Sequence, residues 1–154
     1  MKIIIIFFIT VITAAAVRKI TEIFKERIYK RRIIQNKNTE ALKNLGFIYL
    51  KQKKYKEAEK CFETAAEEND IHGFSGLGAL YIILKEYDKA EICLKKALEQ
   101  KCIMAMNNLG ALYYIQGKYE KSRKYYKMAA KNGHKKSGKM LEKLQTKSLN
   151  NSEN

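Results

Sequence analysis

One spacing constrains this chain more than any other feature: 32 residues separate Leu45-Gly46 from Leu77-Gly78, and those from Leu109-Gly110. Tyr49, Tyr81 and Tyr113 follow each Gly by three residues, and Tyr55, Tyr87 and Tyr119 come six further on. Ala58, Ala90 and Ser122 come next, then Phe62, Leu94 and Tyr126, then Ala65, Ala97 and Ala129. Size classes that recur at a fixed period of this length mark stacked supersecondary units, each burying its neighbour's apolar face.

Each unit reads as two helices. Leu42, Leu45, Gly46 and Tyr49 follow the i, i+3, i+4, i+7 pattern of a buried stripe. The polar stretch Gln52-Lys53-Lys54 interrupts it, and Ala58, Phe62 and Ala65 form a second stripe. Gly inside a helix costs about 1 kcal/mol relative to Ala, so its return at one place predicts a close approach of two backbones. The chain has no Pro and eight Gly, which fits helices better than a turn-rich β fold. The fold class expected is all-α.

The pattern L-G-x-x-Y, then Y, A, F/L/Y and A, resembles the tetratricopeptide repeat, whose period is about 34 residues. The last copy, with Tyr125-Tyr126 and Ala129-Ala130 before Gly133, also resembles the Sel-one-like repeat. The resemblance covers residues 38–134 and departs from the family in closing no repeat with Pro and in a shorter connection between repeats. It implies a right-handed superhelical array of three helix-turn-helix units at 39–70, 71–102 and 103–134. Residues 135–147, with Met140, Leu141 and Leu144, are expected to form a capping helix, and 148–154 a disordered tail.

The family resemblance further implies that the first helix of each unit lines a concave groove. The helical wheel places Lys43, Phe47, Leu50 and Lys51 of the first unit on that side. Ser75, Ala79, Ile82 and Ile83 of the second follow, then Asn107, Ala111, Tyr114 and Ile115 of the third. So apolar a stripe either takes a partner or is covered by another part of the chain, for which the segment 18–37 is a candidate. The partner expected is an unknown protein or peptide laid in the groove. Some family members clamp the acidic C-terminus of heat-shock chaperones with Lys, Asn and Arg. Lys43 matches one element of that clamp, but Phe47, Ser75 and Met104 stand where its other members belong.

Ahead of the repeats, Ile3 to Val17 is an uninterrupted uncharged run, preceded by Lys2 and followed by Arg18-Lys19. Residues 1–19 read as a single-pass N-terminal anchor, or as a signal peptide cleaved near Ala16. The basic excess after the run places the repeats in the cytoplasm by the positive-inside rule. Within 20–37, a basic juxtamembrane linker, Ile20, Ile23, Phe24 and Ile28 form an apolar stripe. That stripe would either lie on anionic lipid together with residues 3–17 or pack on the first repeat.

The net charge of +15 gathers at the ends and in the third unit, which holds six basic residues against one acid. The alternative function is therefore peripheral binding of anionic lipid or nucleic acid. No recognised nucleic-acid motif is present, which disfavours the latter. Catalysis has little support. His72 and His134 lack metal-ligand spacing to each other or to Cys and carboxylates, and the Gly-rich run from Gly73 to Gly78 follows no strand. No cofactor, metal or small-molecule substrate is expected. Cys61, Cys93 and Cys102 form no disulfide framework; the first two, one period apart, read as small apolar residues of a reducing compartment.

Overall fold

In the computed structural model of the chain, residue 14, residues 16–31 and residues 38–150 are described, the last six of these by backbone alone. Residues 16–31 form helix α1. Seven further helices follow: α2 (Thr39–Lys51), α3 (Tyr55–Glu67), α4 (Ile71–Ile83), α5 (Tyr87–Glu99), α6 (Ile103–Ile115), α7 (Tyr119–Lys131) and α8 (Lys135–Asn150). Six of them, α2 to α7, are 13 residues long. They pair as three hairpins, α2–α3, α4–α5 and α6–α7, and each hairpin packs on the next through its first helix.

The glycines explain the pairing. A Cβ on Gly46 would come within 2.5 Å of the Phe62 ring, and one on Gly110 within 2.7 Å of the Tyr126 ring; at Gly78 it would strike Leu94. The large residue of the second helix thus sits on the bare backbone of the first, three times over. Ala58 and Ala90 are fully buried at the matching place on α3 and α5. Ser122 occupies that place on α7, where its hydroxyl donates to the Gly110 carbonyl at 2.8 Å and so carries no burial penalty.

The turns share one backbone solution. Lys53, Lys85 and Gly117 each adopt a positive φ one residue into the turn within a hairpin, and Asn69, Lys101 and Gly133 do so between hairpins. A left-handed residue closes a helix by satisfying its last carbonyls, as when Lys54 N–H bonds Tyr49 O and Glu86 N–H bonds Tyr81 O. Asn38 caps α2 through the N–H groups of Glu40 and Ala41, and Asp70 caps α4 through His72 N–H. Cys102 and His134 follow in the same register, so the two imperfect repeats of the cap remain legible at 32-residue steps.

Hairpins are joined by a tyrosine–glutamate ladder. Tyr81 donates to Glu59 at 2.9 Å and Tyr113 to Glu91 at 2.8 Å, each from a first helix back to the preceding second helix. Burial, and then the neighbouring carboxylate, push both phenols up from their ordinary range. Tyr49 makes the equivalent bond to Glu26 of α1 at 3.3 Å. α1 therefore stands where a second helix of a preceding hairpin would stand. At the other end α8 keeps the register of a first helix: Ser137, Leu141 and Leu144 repeat Ala105, Leu109 and Leu112. Leu144 is buried there, with Met140 and Leu141 half-buried. α8 runs three residues beyond the expected boundary at 147, and no Gly or Pro stands in that stretch to stop it.

The N-terminal expectation requires correction. Among the described residues no helix is long and apolar enough to cross a membrane, so the single-pass anchor with cytoplasmic repeats is not supported. Over residues 16–31 the physical reason is plain: this helix carries Arg18, Lys19, Lys25, Arg27, Lys30 and Arg31 as well as Glu22 and Glu26. Apart from Ala14, Ala16 and Val17, the run Ile3–Val17 lies outside the described residues, as do 1–2, 32–37 and 151–154. α1 meets α2 with its polar side, through Glu26 and the half-buried Tyr29, while Ile20, Ile23, Phe24 and Ile28 are exposed.

Candidate binding groove

The first helices touch one another, α2 on α4 and α4 on α6, whereas the second helices make no comparable contact among the described residues. The layer of first helices is thus the tighter one and forms the inner face of the array. α4 and α6 contain no Asp, Glu, Lys or Arg at all, while every second helix is densely charged. The part of the inner wall formed by α4 and α6 is accordingly uncharged, whereas α2 carries Glu40, Lys43 and Lys51, and the opposite wall is solvated.

The candidate groove residues fall into three groups. Ile83 and Ile115 stand one period apart at the ends of α4 and α6, with 49% and 51% of their surfaces exposed. Lys51, at the same place on α2, is exposed too. Phe47, Leu50, Ala79, Ile82, Ala111 and Tyr114 are half-buried. Of these, Phe47 packs edge-on against Phe62 at 5.2 Å, Leu50 and Ile82 rest on the core, and Tyr114 meets Tyr119 edge-on at 5.7 Å.

The third group is polar. Lys43 is half-buried and pairs with Glu40 at 3.7 Å. Asn107 accepts from the Ser137 hydroxyl at 3.0 Å and donates to Asn108 at 3.3 Å. Ser75 is 1% exposed, and its hydroxyl finds no partner among the described residues. It lies too deep to meet a partner in the groove.

Residues that the sequence reading did not single out complete the N-terminal edge. Glu22, Lys25 and Tyr29 of α1 face Asn44, Phe47, Ile48 and Lys51 of α2 across an open cleft of about 200 Å³. α1 thus lies beside the α2 end of the groove, not over Ile83 and Ile115. Asn44 and Asn108, two periods apart, were the signal available in the sequence for this side of the first helices.

The rest of the titratable chemistry is structural. Burial raises the Cys61 thiol to about 11 and pushes Cys93 up as well, so neither is poised to react. All three cysteines are free. Among the described residues no three His, Cys, Asp or Glu side chains are placed to hold a metal ion.

Tetratricopeptide repeat models match residues 39–70, 74–101 and 102–131, together more than half of the chain. The last match is of the same kind as the others, so the expected Sel-one-like character of the third unit is not supported. Among solved structures, the first such domain of Spaghetti (RPAP3), bound to the HSP90 peptide SRMEEVD, has a TM-score of 0.63 at 23% identity, over 73% of this chain and 94% of that one. A structure of MamA gives 0.56 at 18% identity, over 84% and 90% of the two chains. The pilF protein of Pseudomonas aeruginosa gives 0.58 at 23%, over 68% of this chain and half of that one. At these identities the likeness shows the fold alone. Comparison with curated proteins finds no match.

Proposed function

We infer that this chain, which belongs to the tetratricopeptide repeat family, is a protein-binding scaffold whose inner face takes an apolar peptide or helix and performs no catalysis. The observation that carries this reading is the uncharged inner wall of α4 and α6, with Ile83 and Ile115 left open at matching positions. Exposed aliphatic side chains on a rigid surface are suited to anchor a partner, and a few such anchors dominate interface energies. The RPAP3 domain of the same fold holds an HSP90 peptide, which supports a peptide as the class of partner. Its acidic sequence is a poor guide to the ligand here, because Phe47 and the buried Ser75 replace basic or polar clamp positions.

Ile82 and Tyr114 pack on their neighbours, so Ile83 and Ile115 are the cleaner probes. A photo-crosslinking side chain placed at 83 or 115 in cells should yield a discrete adduct, and one at Ile92 on α5, 59% exposed, should not. The pair Ile83→Ser with Ile115→Ser should abolish recruitment of the captured protein and leave the helical circular dichroism unchanged. Equal adducts from 83, 115 and 92 would defeat the groove reading.

A further inference from the structure

The three second helices share a fold but not a charge. On α3, Lys56 and Lys60 are outnumbered by Glu57, Glu59, Glu63 and Glu67, and on α5 the two signs balance. On α7 Lys121, Arg123, Lys124, Lys127 and Lys131 stand against Glu120 alone. Lys124, Lys127 and Lys131 form an exposed stripe at i, i+3 and i+7, and no described carboxylate lies within ion-pair distance of any of them. Arg123 with Lys127, and Lys127 with Lys131, are like charges four residues apart, an arrangement that opposes the helix.

One repeat position accounts for part of the difference. Glu59 and Glu91 sit 32 residues apart and accept the ladder bonds from Tyr81 and Tyr113. Glu91 also pairs with Lys95, four residues on, at 2.7 Å. The next residue in that register is Arg123. Its nearest acid is Glu120 at 3.7 Å, and its Nε is buried without a hydrogen-bond partner among the described residues. The ladder of the earlier helices thus ends on α7, where a cation takes the glutamate's place.

We propose that the outer face of α7 is a second docking surface, and that it takes an Asp- and Glu-rich polypeptide segment. Carboxylates laid along Lys124, Lys127 and Lys131 would relieve the repulsion that the helix otherwise carries. Two observations favour a polypeptide over nucleic acid. The tyrosines beside the stripe offer no open face for a base: Tyr113 and Tyr126 are buried, and Tyr125 stacks on Tyr113 at 5.4 Å with Lys124 over its ring. The stripe runs along a single helix for only about two turns. A second copy of this chain is disfavoured by its net charge of +15.

The surface uses none of the groove residues, so the two sites can be tested apart. The full chain is titrated with a short fluorescein-labelled poly-L-glutamate and, separately, with poly(U). Poly-L-glutamate should bind at low salt and weaken on the order of tenfold as ionic strength rises to the physiological range. Lys124→Glu with Lys127→Glu should abolish that binding, the milder Lys124→Gln with Lys127→Gln should reduce it, and Ile83→Ser with Ile115→Ser should leave it intact. Lys127→Glu alone should raise the melting temperature, because it turns two like-charge pairs into attractive ones. Unchanged poly-L-glutamate affinity in both lysine pairs overturns the proposal. So does tighter binding of poly(U) lost in the same variants, which would assign the face to nucleic acid.

Discussion

The first and third hairpins occupy the same frame and resolve its positions with different residues. Phe62 rests on Gly46 in one, and Tyr126 rests on Gly110 in the other. The buried small residue is Ala58 in one and Ser122 in the other, where a carbonyl of the facing helix satisfies the hydroxyl. The left-handed turn residue is Lys53 in one and Gly117 in the other. The second-helix position that serves the ladder is Glu59 in one and its counterpart is Arg123 in the other. Interior volume is held nearly constant between the two, turn chemistry varies within what the backbone tolerates, and surface charge reverses. Close packing permits little change of volume, whereas solvent screens a change of sign.

The comparison breaks first at the glycines. Gly46→Leu and Gly110→Leu should each destabilise the array by about 1–3 kcal/mol, because the added side chain meets an aromatic ring that has nowhere to retreat. Chemical denaturation of both variants beside wild type measures this, and a cost at only one would mean that the hairpins do not pack alike. The turns come next. Gly117→Lys should cost about 1 kcal/mol for the left-handed backbone, and Lys53→Gly should recover a smaller amount, both read as shifts in melting temperature. The buried small residue should matter least. Ala58→Ser should cost under about 1 kcal/mol if its hydroxyl finds the carbonyl of Gly46 as Ser122 finds that of Gly110. A cost of about 1–3 kcal/mol would show an unsatisfied hydroxyl and a geometry that differs between the hairpins.

Much of the scaffold is legible in the residues. The helix pairs, the contact of each Gly with a large partner and the place of Leu144 under the last hairpin follow from the 32-residue step and helical periodicity. The left-handed turns were signalled only by Gly117 and Gly133, since lysine occupies three of the matching places and asparagine the fourth. Of the candidate groove residues, Ile83 and Ile115 are exposed. Ser75 is not, because the wheel describes one helix at a time and cannot show how closely a neighbour approaches.

The two ends of the array mark the same division. At the C-terminus the register alone tells which side of α8 is buried, since the preceding hairpins have already specified that interface. At the N-terminus α1 lies outside the repeat. Its apolar stripe of Ile20, Ile23, Phe24 and Ile28 is the side that periodicity selects for burial, yet Glu26 and Tyr29 on another side meet α2. The sequence by itself determined the repeating helix pair, because each interface makes the same steric demand and leaves the same residues in the chain. Which surface of α1 is covered, how deep Ser75 lies and where the tyrosine ladder ends depend on contacts between units, and only the tertiary structure decided them.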